Sequence, residues 1–191
     1  MKTIILGPPG TGKTTTLLNL VEEFLRSGTD IKNIGYFSFT KKAAWEATRR
    51  AEEKFMIDQK EIPYFRTLHS LAFRMLGAKK ERIMKAADYR DFGLKVGIPI
   101  KTAWYQEEDG IFNSDNEYLR IINRARVKEI SVLGEYDNYN HTLDIERDLL
   151  YLLDRELIRY KKEKNLIDYD DLLEQFIEQD VSPSFDVLFI D

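Results

Sequence analysis

The sequence of 191 residues contains no cysteine. This absence excludes disulfide bonds, thiolate nucleophiles, and zinc or iron–sulfur sites with cysteine ligands. No uninterrupted apolar run approaches the ~18 residues of a membrane span, and the apolar stretch near the amino terminus is shorter than the ~7 to 15 residues of a signal-peptide core. We therefore expect a soluble, cytoplasmic protein with no membrane partner.

The sequence also has little net charge. A total of −4 excludes a uniformly basic nucleic-acid binder, but the charge is distributed unevenly. Residues 1–101 carry 19 Lys/Arg against 11 Asp/Glu, whereas residues 102–191 carry 10 against 22. Binding of a polyanion requires only a local positive surface, although solvated helix faces explain the same asymmetry without any partner.

Apolar periodicity predicts strands that alternate with helices at the start of the chain. Strands are predicted at residues 3–6, 34–39, 64–67 and, at the end, 185–190. Helices are predicted at residues 14–26, 41–55, 69–76 and 169–177. Such alternation indicates an α/β fold with a parallel sheet.

The middle of the chain lacks this alternation. The strand signal fades between residues 79 and 164, where helices are predicted at 115–130 and 143–162. We therefore expect a core formed by residues 1–78 and 166–191, interrupted by a mostly helical insertion at residues 79–165.

One motif carries specific chemistry. Residues 7–14 match G-x-x-x-x-G-K-[ST] between a predicted strand and a predicted helix, which is the context expected of a P-loop. Its backbone N–H groups and the following helix surround a β-phosphate, Lys13 reaches the β- and γ-phosphates, and the Thr14 hydroxyl ligates Mg²⁺. The motif implies ATP or GTP with Mg²⁺ as ligand. The predicted nucleotide-binding residues are Gly7, Pro8, Pro9, Gly10, Thr11, Gly12, Lys13, Thr14 and Thr15.

A P-loop also requires an acidic residue that holds the hydrated Mg²⁺ opposite the Thr14 hydroxyl. Asp191 follows the last predicted strand. An apolar run ending in aspartate is common on its own, but together with the P-loop it makes Asp191 the favoured partner. We predict Lys13, Thr14 and Asp191 as catalytic residues, the last two as magnesium ligands.

Three further segments occur in a specific order with the P-loop. Residues 38–44 (SFTKKAA), 67–72 (TLHSLA) and 168–173 (DYDDLL) resemble motif Ia, the T-x-H-S motif and the D-[FY]-D-D-L-L element of UvrD/Rep-type superfamily 1 DNA helicases. The resemblance implies a RecA-like ATP-binding domain that couples ATP hydrolysis to strand movement. It also implies contacts to single-stranded or partly duplex DNA, for which the candidate residues are Phe39, Thr40, Lys41, Thr67 and His69.

Each of these segments has a simpler local explanation. Thr40 suits the N-cap of a helix, and a single His69 is more often a hydrogen-bonded core histidine than a ligand contact. The aspartates at 168, 170 and 171 suit a helix amino terminus better than a metal site, and we interpret them as structural. The order of the four motifs favours the helicase.

The resemblance also predicts features beyond this sequence. Family members carry a glutamine-bearing adenine site before the P-loop, a glutamate after the Walker B aspartate, and a second RecA-like domain with arginine fingers. Here six residues precede Gly7 and the last residue is Asp191. We therefore expect a fragment that binds Mg-nucleotide weakly, hydrolyses it hardly at all, and works with the second RecA-like domain of the same helicase.

Two other functions fit the P-loop. One is a P-loop NTPase of another kind, such as an AAA-type ATPase or a nucleotide kinase, because fold and P-loop alone do not identify a reaction. The other is a non-catalytic nucleic-acid or partner-binding module that uses nucleotide only for stability.

Overall fold

The computed structural model describes residues 2–8, 10–100, 116–138 and 145–191. Internal contacts divide the chain into two compact units, Met1–Met75 with Asp180–Asp191 and Leu76–Gln179. The predicted first boundary, after residue 78, lies a few residues beyond the one found in the structure. The prediction also assigned residues 166–179 to the core, whereas the contacts place them in the second unit. Whether these units coincide with the domains of the expected family remains a prediction.

The first unit contains a parallel three-stranded sheet. The strands are β1 (Ile34–Ser38), β2 (Phe65–Thr67) and β3 (Val187–Ile190), in the order β2-β1-β3. Ser38 pairs with Thr67, and the Asp191 N–H donates a 2.8 Å hydrogen bond to the Phe37 carbonyl. The carboxyl ends of all three strands therefore lie at one edge, as the predicted α/β fold requires.

Three helices belong to this unit: α1 (Lys13–Arg26), α2 (Lys41–Phe55) and α3 (Leu68–Met75). The apolar faces of α1 and α2 pack with one face of the sheet. This core includes Leu18, Val21, Ile34, Tyr36, Ala47, Ala51, Phe65 and Phe189. Both α2 and α3 start directly after strands, so their amino termini lie near the same sheet edge.

The strand predicted at residues 3–6 is wrong for this structure. Residues 3–6 have no strand conformation, and Ile4 and Leu6 are 70% and 89% exposed. An apolar run indicates a preference for burial, but a strand forms only where the backbone finds a neighbouring edge to pair with. Here the three paired strands do not include this segment.

The second unit is helical, as predicted. Its helices are α4 (Ala86–Val96), α5 (Glu117–Val127), α6 (Val132–Asn138), α7 (Arg147–Lys164) and α8 (Tyr169–Glu178). They enclose a separate core that includes Phe92, Ile121, Leu150, Leu157 and Tyr160. α5 and α7 correspond to the two predicted helices, whose first residues at 115 and at 143–144 lie outside the described residues. Within the described part of the chain, no helix is long and apolar enough to cross a membrane.

Candidate nucleotide and DNA site

The P-loop adopts backbone conformations that favour glycine. Gly10 and Gly12 have φ values of 82° and 80°, in the left-handed region that side chains with a Cβ rarely enter. A Cβ on Gly7 would lie 2.6 Å from the Thr11 hydroxyl oxygen. Gly12 caps α1, so the loop runs directly into the helix amino terminus. This geometry exposes backbone N–H groups for an anion.

Lys13 and Thr11 hold the loop closed. The Lys13 ammonium donates hydrogen bonds to the carbonyls of Gly7 (2.9 Å) and Pro8 (2.8 Å). The Thr11 hydroxyl donates to the Pro8 carbonyl at 2.8 Å. Thr15 is exposed in the first turn of α1, and Pro9 lies outside the described residues. The ammonium therefore lies inside the loop, where phosphate oxygens can replace the two carbonyls.

The structure brings the two predicted magnesium ligands together. The Thr14 hydroxyl at the start of α1 donates a 2.8 Å hydrogen bond to Oδ2 of Asp191, although 177 residues separate them. A hydroxyl and a carboxylate are oxygen ligands of the kind Mg²⁺ prefers, with phosphates and water completing the octahedron. Among the described residues, no group of three or more His, Asp or Glu could hold a metal alone. The pair therefore suits a cation shared with a nucleotide.

Tyr36 is a site residue that the sequence analysis missed. Its hydroxyl donates a 2.9 Å hydrogen bond to Oδ2 of Asp191 from a fully buried position on β1. Burial, followed by the neighbouring carboxylate, raises the pKa of Tyr36, so the phenol keeps its proton and acts as a donor. Without a partner the buried hydroxyl would cost about 1 to 3 kcal/mol. The available signal was a tyrosine in an apolar strand, since a buried hydroxyl needs a partner.

The candidate DNA residues occupy the carboxyl edge of the sheet. Phe39 is 73% exposed and Lys41 is also exposed, so both side chains are accessible to a ligand. Thr40 caps α2 by accepting a 3.0 Å hydrogen bond from the Ala43 N–H. Trp45 lies one turn after Lys41 on α2 and is 62% exposed, a spacing that the sequence analysis did not use.

Two of these candidates are less accessible. Thr67 is buried, and its hydroxyl accepts a 3.2 Å hydrogen bond from the Ser70 N–H at the start of α3. His69 is partly buried, and burial followed by the charge of Lys41 lowers its pKa. Burial and the positive charge of Lys41 therefore both favour the neutral form of the His69 imidazole.

The aspartates that precede and begin α8 form a different kind of cluster. Asp168 caps α8 in a reciprocal capping box with Asp171, which confirms the structural interpretation of this segment. Arg126 and Lys161 contact the Asp168 carboxylate at 2.8 and 2.7 Å. Burial would raise the pKa of Asp168, but these two cations outweigh it and hold that pKa below its usual range. The protein's own cations thus neutralise the buried Asp168 carboxylate.

Comparison with known proteins adds one match. The model of the UvrD/REP helicase N-terminal domain family matches residues 1–189, which include the P-loop and the three segments that resemble helicase motifs. A search of curated proteins finds none that matches the chain. The match therefore covers nearly the whole chain and both compact units.

Proposed function

We propose, since the chain belongs to the UvrD/REP helicase N-terminal domain family, that it binds ATP with Mg²⁺ and couples ATP hydrolysis to movement along single-stranded DNA. The family establishes a helicase ATP-binding domain. The 2.8 Å contact between Thr14 and Asp191 is the observation that carries the proposal. It joins the P-loop to the end of β3 through the two side chains that a nucleotide-bound Mg²⁺ requires.

In this proposal the P-loop backbone binds the phosphates. Lys13 exchanges its hydrogen bonds to the Gly7 and Pro8 carbonyls for bonds to the β- and γ-phosphates. A Mg²⁺ ion bound there would supply positive charge against the charge that develops on the transferred phosphoryl group. Thr14 and Asp191, whose side chains share a hydrogen bond, would hold the cation through their oxygen atoms.

We propose that the carboxyl edge of the sheet contacts DNA. The exposed Phe39 ring offers a surface for base stacking, which is worth about 1 to 3 kcal/mol per base, and Lys41 offers a charge for phosphate. These two residues follow β1, whose Tyr36 contacts Asp191. Nucleotide and DNA would thus bind at ends of the same strands, with a second ATPase domain of the helicase providing the moving partner.

The proposal is tested by fluorescence anisotropy of labelled oligo(dT), with and without a non-hydrolysable Mg-ATP analogue, together with calorimetry of Mg-ADP. The native chain should bind both ligands, and nucleotide should change DNA affinity. Lys13→Ala should weaken Mg-ADP about 10- to 100-fold, because a charge-assisted hydrogen bond is worth roughly 1.5 to 3 kcal/mol. Lys32→Ala, which removes an exposed charge elsewhere in this unit, is the matched control.

The dependence of DNA affinity on salt provides a second readout. Lys41→Ala should reduce the slope of log K against log salt by about 0.7, the value for loss of one phosphate contact to a single strand. Lys60→Ala, another exposed lysine, should leave the slope unchanged. DNA binding that ignores nucleotide would indicate a passive binding module. Nucleotide binding without DNA binding would indicate another P-loop enzyme and would contradict the proposal.

A further inference from the structure

Strand geometry places the Tyr36 and Asp191 side chains on the same face of the sheet. Tyr36 pairs with Phe189 across β1 and β3, and Asp191 lies two residues beyond Phe189. Side chains two residues apart on a strand point to the same face, about 6.6 Å further along the strand. A tyrosine ring directed toward the carboxyl edge spans this distance, and the 2.9 Å hydrogen bond shows that it does.

The ring of Tyr36 is fixed by two aromatic neighbours. It stacks on Phe65 with a centroid distance of 5.0 Å and an interplanar angle of 13°, and on Phe189 at 6.1 Å and 28°. Tyr36 is completely buried. A buried ring with neighbours on two strands has little rotamer freedom, so the position of its hydroxyl is set by the sheet.

Tyr36 and Thr14 donate to the same oxygen of Asp191. Both hydroxyls contact Oδ2, at 2.9 and 2.8 Å. Within the described part of the chain, Oδ1 accepts no hydrogen bond and no lysine or arginine forms an ion pair with this carboxylate. The carboxylate is therefore oriented by two neutral donors, and its Oδ1 atom remains available to a ligand.

We propose that Tyr36 is a positioning residue for magnesium binding, which orients the Asp191 carboxylate toward the cation held by Thr14 and the nucleotide. This inference rests on the proposed nucleotide site. Packing alone does not require the hydroxyl, because phenylalanine would fill the same space between Phe65 and Phe189. Among the described residues, the side-chain hydrogen bond of this hydroxyl is with the predicted magnesium ligand.

The test compares ADP affinity in excess Mg²⁺ with ADP affinity in EDTA, by calorimetry. Their ratio measures the gain that Mg²⁺ provides, separately from binding to the P-loop backbone. Tyr36→Phe should reduce this gain about 2- to 10-fold, the effect of one net hydrogen bond, and should leave the affinity in EDTA unchanged. Tyr64→Phe is the matched control, since this tyrosine packs on Phe185 and not on Asp191.

Other outcomes overturn the inference. An equal loss of affinity with and without Mg²⁺ would show that Tyr36 only supports the fold, and an unchanged gain in folded protein would show that its hydroxyl does not act on the cation. In an Asp191→Asn background, Tyr36→Phe should have no further effect on the gain. A full effect there would also overturn the inference, because no carboxylate remains to be oriented.

A second measurement needs no substitution of Tyr36. In protein labelled with ¹³C at tyrosine Cζ, Asp191→Asn should shift one tyrosine resonance, because the phenol loses a charged acceptor. Absence of any shift would overturn the inference even if Tyr36→Phe did not fold. Failure of the native chain to bind ADP at all would instead refute the nucleotide site, so the two failures are distinguishable.

Discussion

Two aspartates, one in each compact unit, have opposite surroundings. Asp191 receives hydrogen bonds from the neutral hydroxyls of Thr14 and Tyr36. Asp168 forms hydrogen-bonded ion pairs with the guanidinium of Arg126 and the ammonium of Lys161, and both cationic side chains are largely buried. Neutral donors orient a carboxylate without cancelling its charge, whereas cations orient it and also cancel its charge. We therefore propose a metal-binding role for Asp191 only, since Asp168 is already paired with two cations of the protein.

The type of donor around a carboxylate distinguishes a ligand site from a structural cluster better than the number of acidic residues does. Arg126 also contacts Asp171 at 2.7 Å and Glu174 at 3.0 Å, so the α8 cluster has more carboxylates than the P-loop site. More carboxylates would ordinarily favour a cation site. Here the side chains of Arg126 and Lys161 already supply the positive charge that a metal ion would provide. Their ion pairs link α8 to α5 and α7.

The largest expected effect is loss of stability at the α8 cluster. Arg126→Met should destabilise the helical unit by about 3 to 5 kcal/mol, because it removes one of the two cations that neutralise the buried Asp168. Urea unfolding followed by circular dichroism measures this change. Arg159→Met, which breaks exposed pairs with Glu156 and Glu163, should cost less than about 1 kcal/mol. Equal effects of the two substitutions would contradict the distinction between buried and exposed pairs.

The same kind of change at the P-loop should affect binding instead of stability. Asp191→Asn should abolish most of the gain in ADP affinity that Mg²⁺ provides, about 10- to 100-fold, since it removes the ligand charge. The midpoint of unfolding should stay near the native value, because no lysine or arginine among the described residues pairs with this carboxylate. Asp186→Asn is the control. Asp186 precedes β3, and its carboxylate accepts a hydrogen bond from the Asn33 side chain instead of from Thr14 or Tyr36. A strongly destabilised Asp191→Asn chain with normal Mg²⁺ dependence would reverse the comparison.

Acid should destabilise the helical unit through Asp168. Arg126 and Lys161 hold the pKa of Asp168 below its ordinary value of 3.8 despite its burial. A lowered pKa stabilises the fold fully above pH ~4 to 5, and this contribution is lost as the pH falls through the folded-state pKa. The helical signal of the native chain should therefore decline below pH 4, and the decline should be shallower in Asp168→Asn. Parallel profiles for the two chains would show that this carboxylate is not the acid-sensitive group.

The sequence predicts the P-loop and the Asp168 cap well because both depend on residues close in the chain. The P-loop motif is contained in eight consecutive residues, 7–14, and the capping box joins two residues that are three positions apart. The failures involve distant partners. A strand at residues 3–6 requires an edge that periodicity does not specify, and the contact between Tyr36 and Asp191 depends on which strands are neighbours. The sequence analysis also did not predict α4 and α6, and α6, with 7 residues, is too short for a clear apolar period.

The smallest expected effect distinguishes carboxylates within the α8 cluster itself. Burial, followed by the charge of Asp168, raises the pKa of Asp170 above its ordinary 3.8. Arg126 lies 3.9 Å away, too far to offset this fully. A raised pKa means that the ionised form is disfavoured in the folded state, so stability from this group is present at low pH and lost as the pH rises through the folded-state pKa.

Asp170→Asn should therefore stabilise the chain at pH 7 by less than about 1 kcal/mol and lose this advantage below pH 4, where aspartate is protonated as well. Urea unfolding at the two pH values measures the difference. Asp180→Asn removes one charge from an exposed turn with a φ of 48°, a backbone conformation that asparagine tolerates, and should change little at either pH. If Asp170→Asn were destabilising at pH 7, the cluster would need all of its carboxylates ionised, and Arg126 would neutralise more charge than its closest contacts indicate.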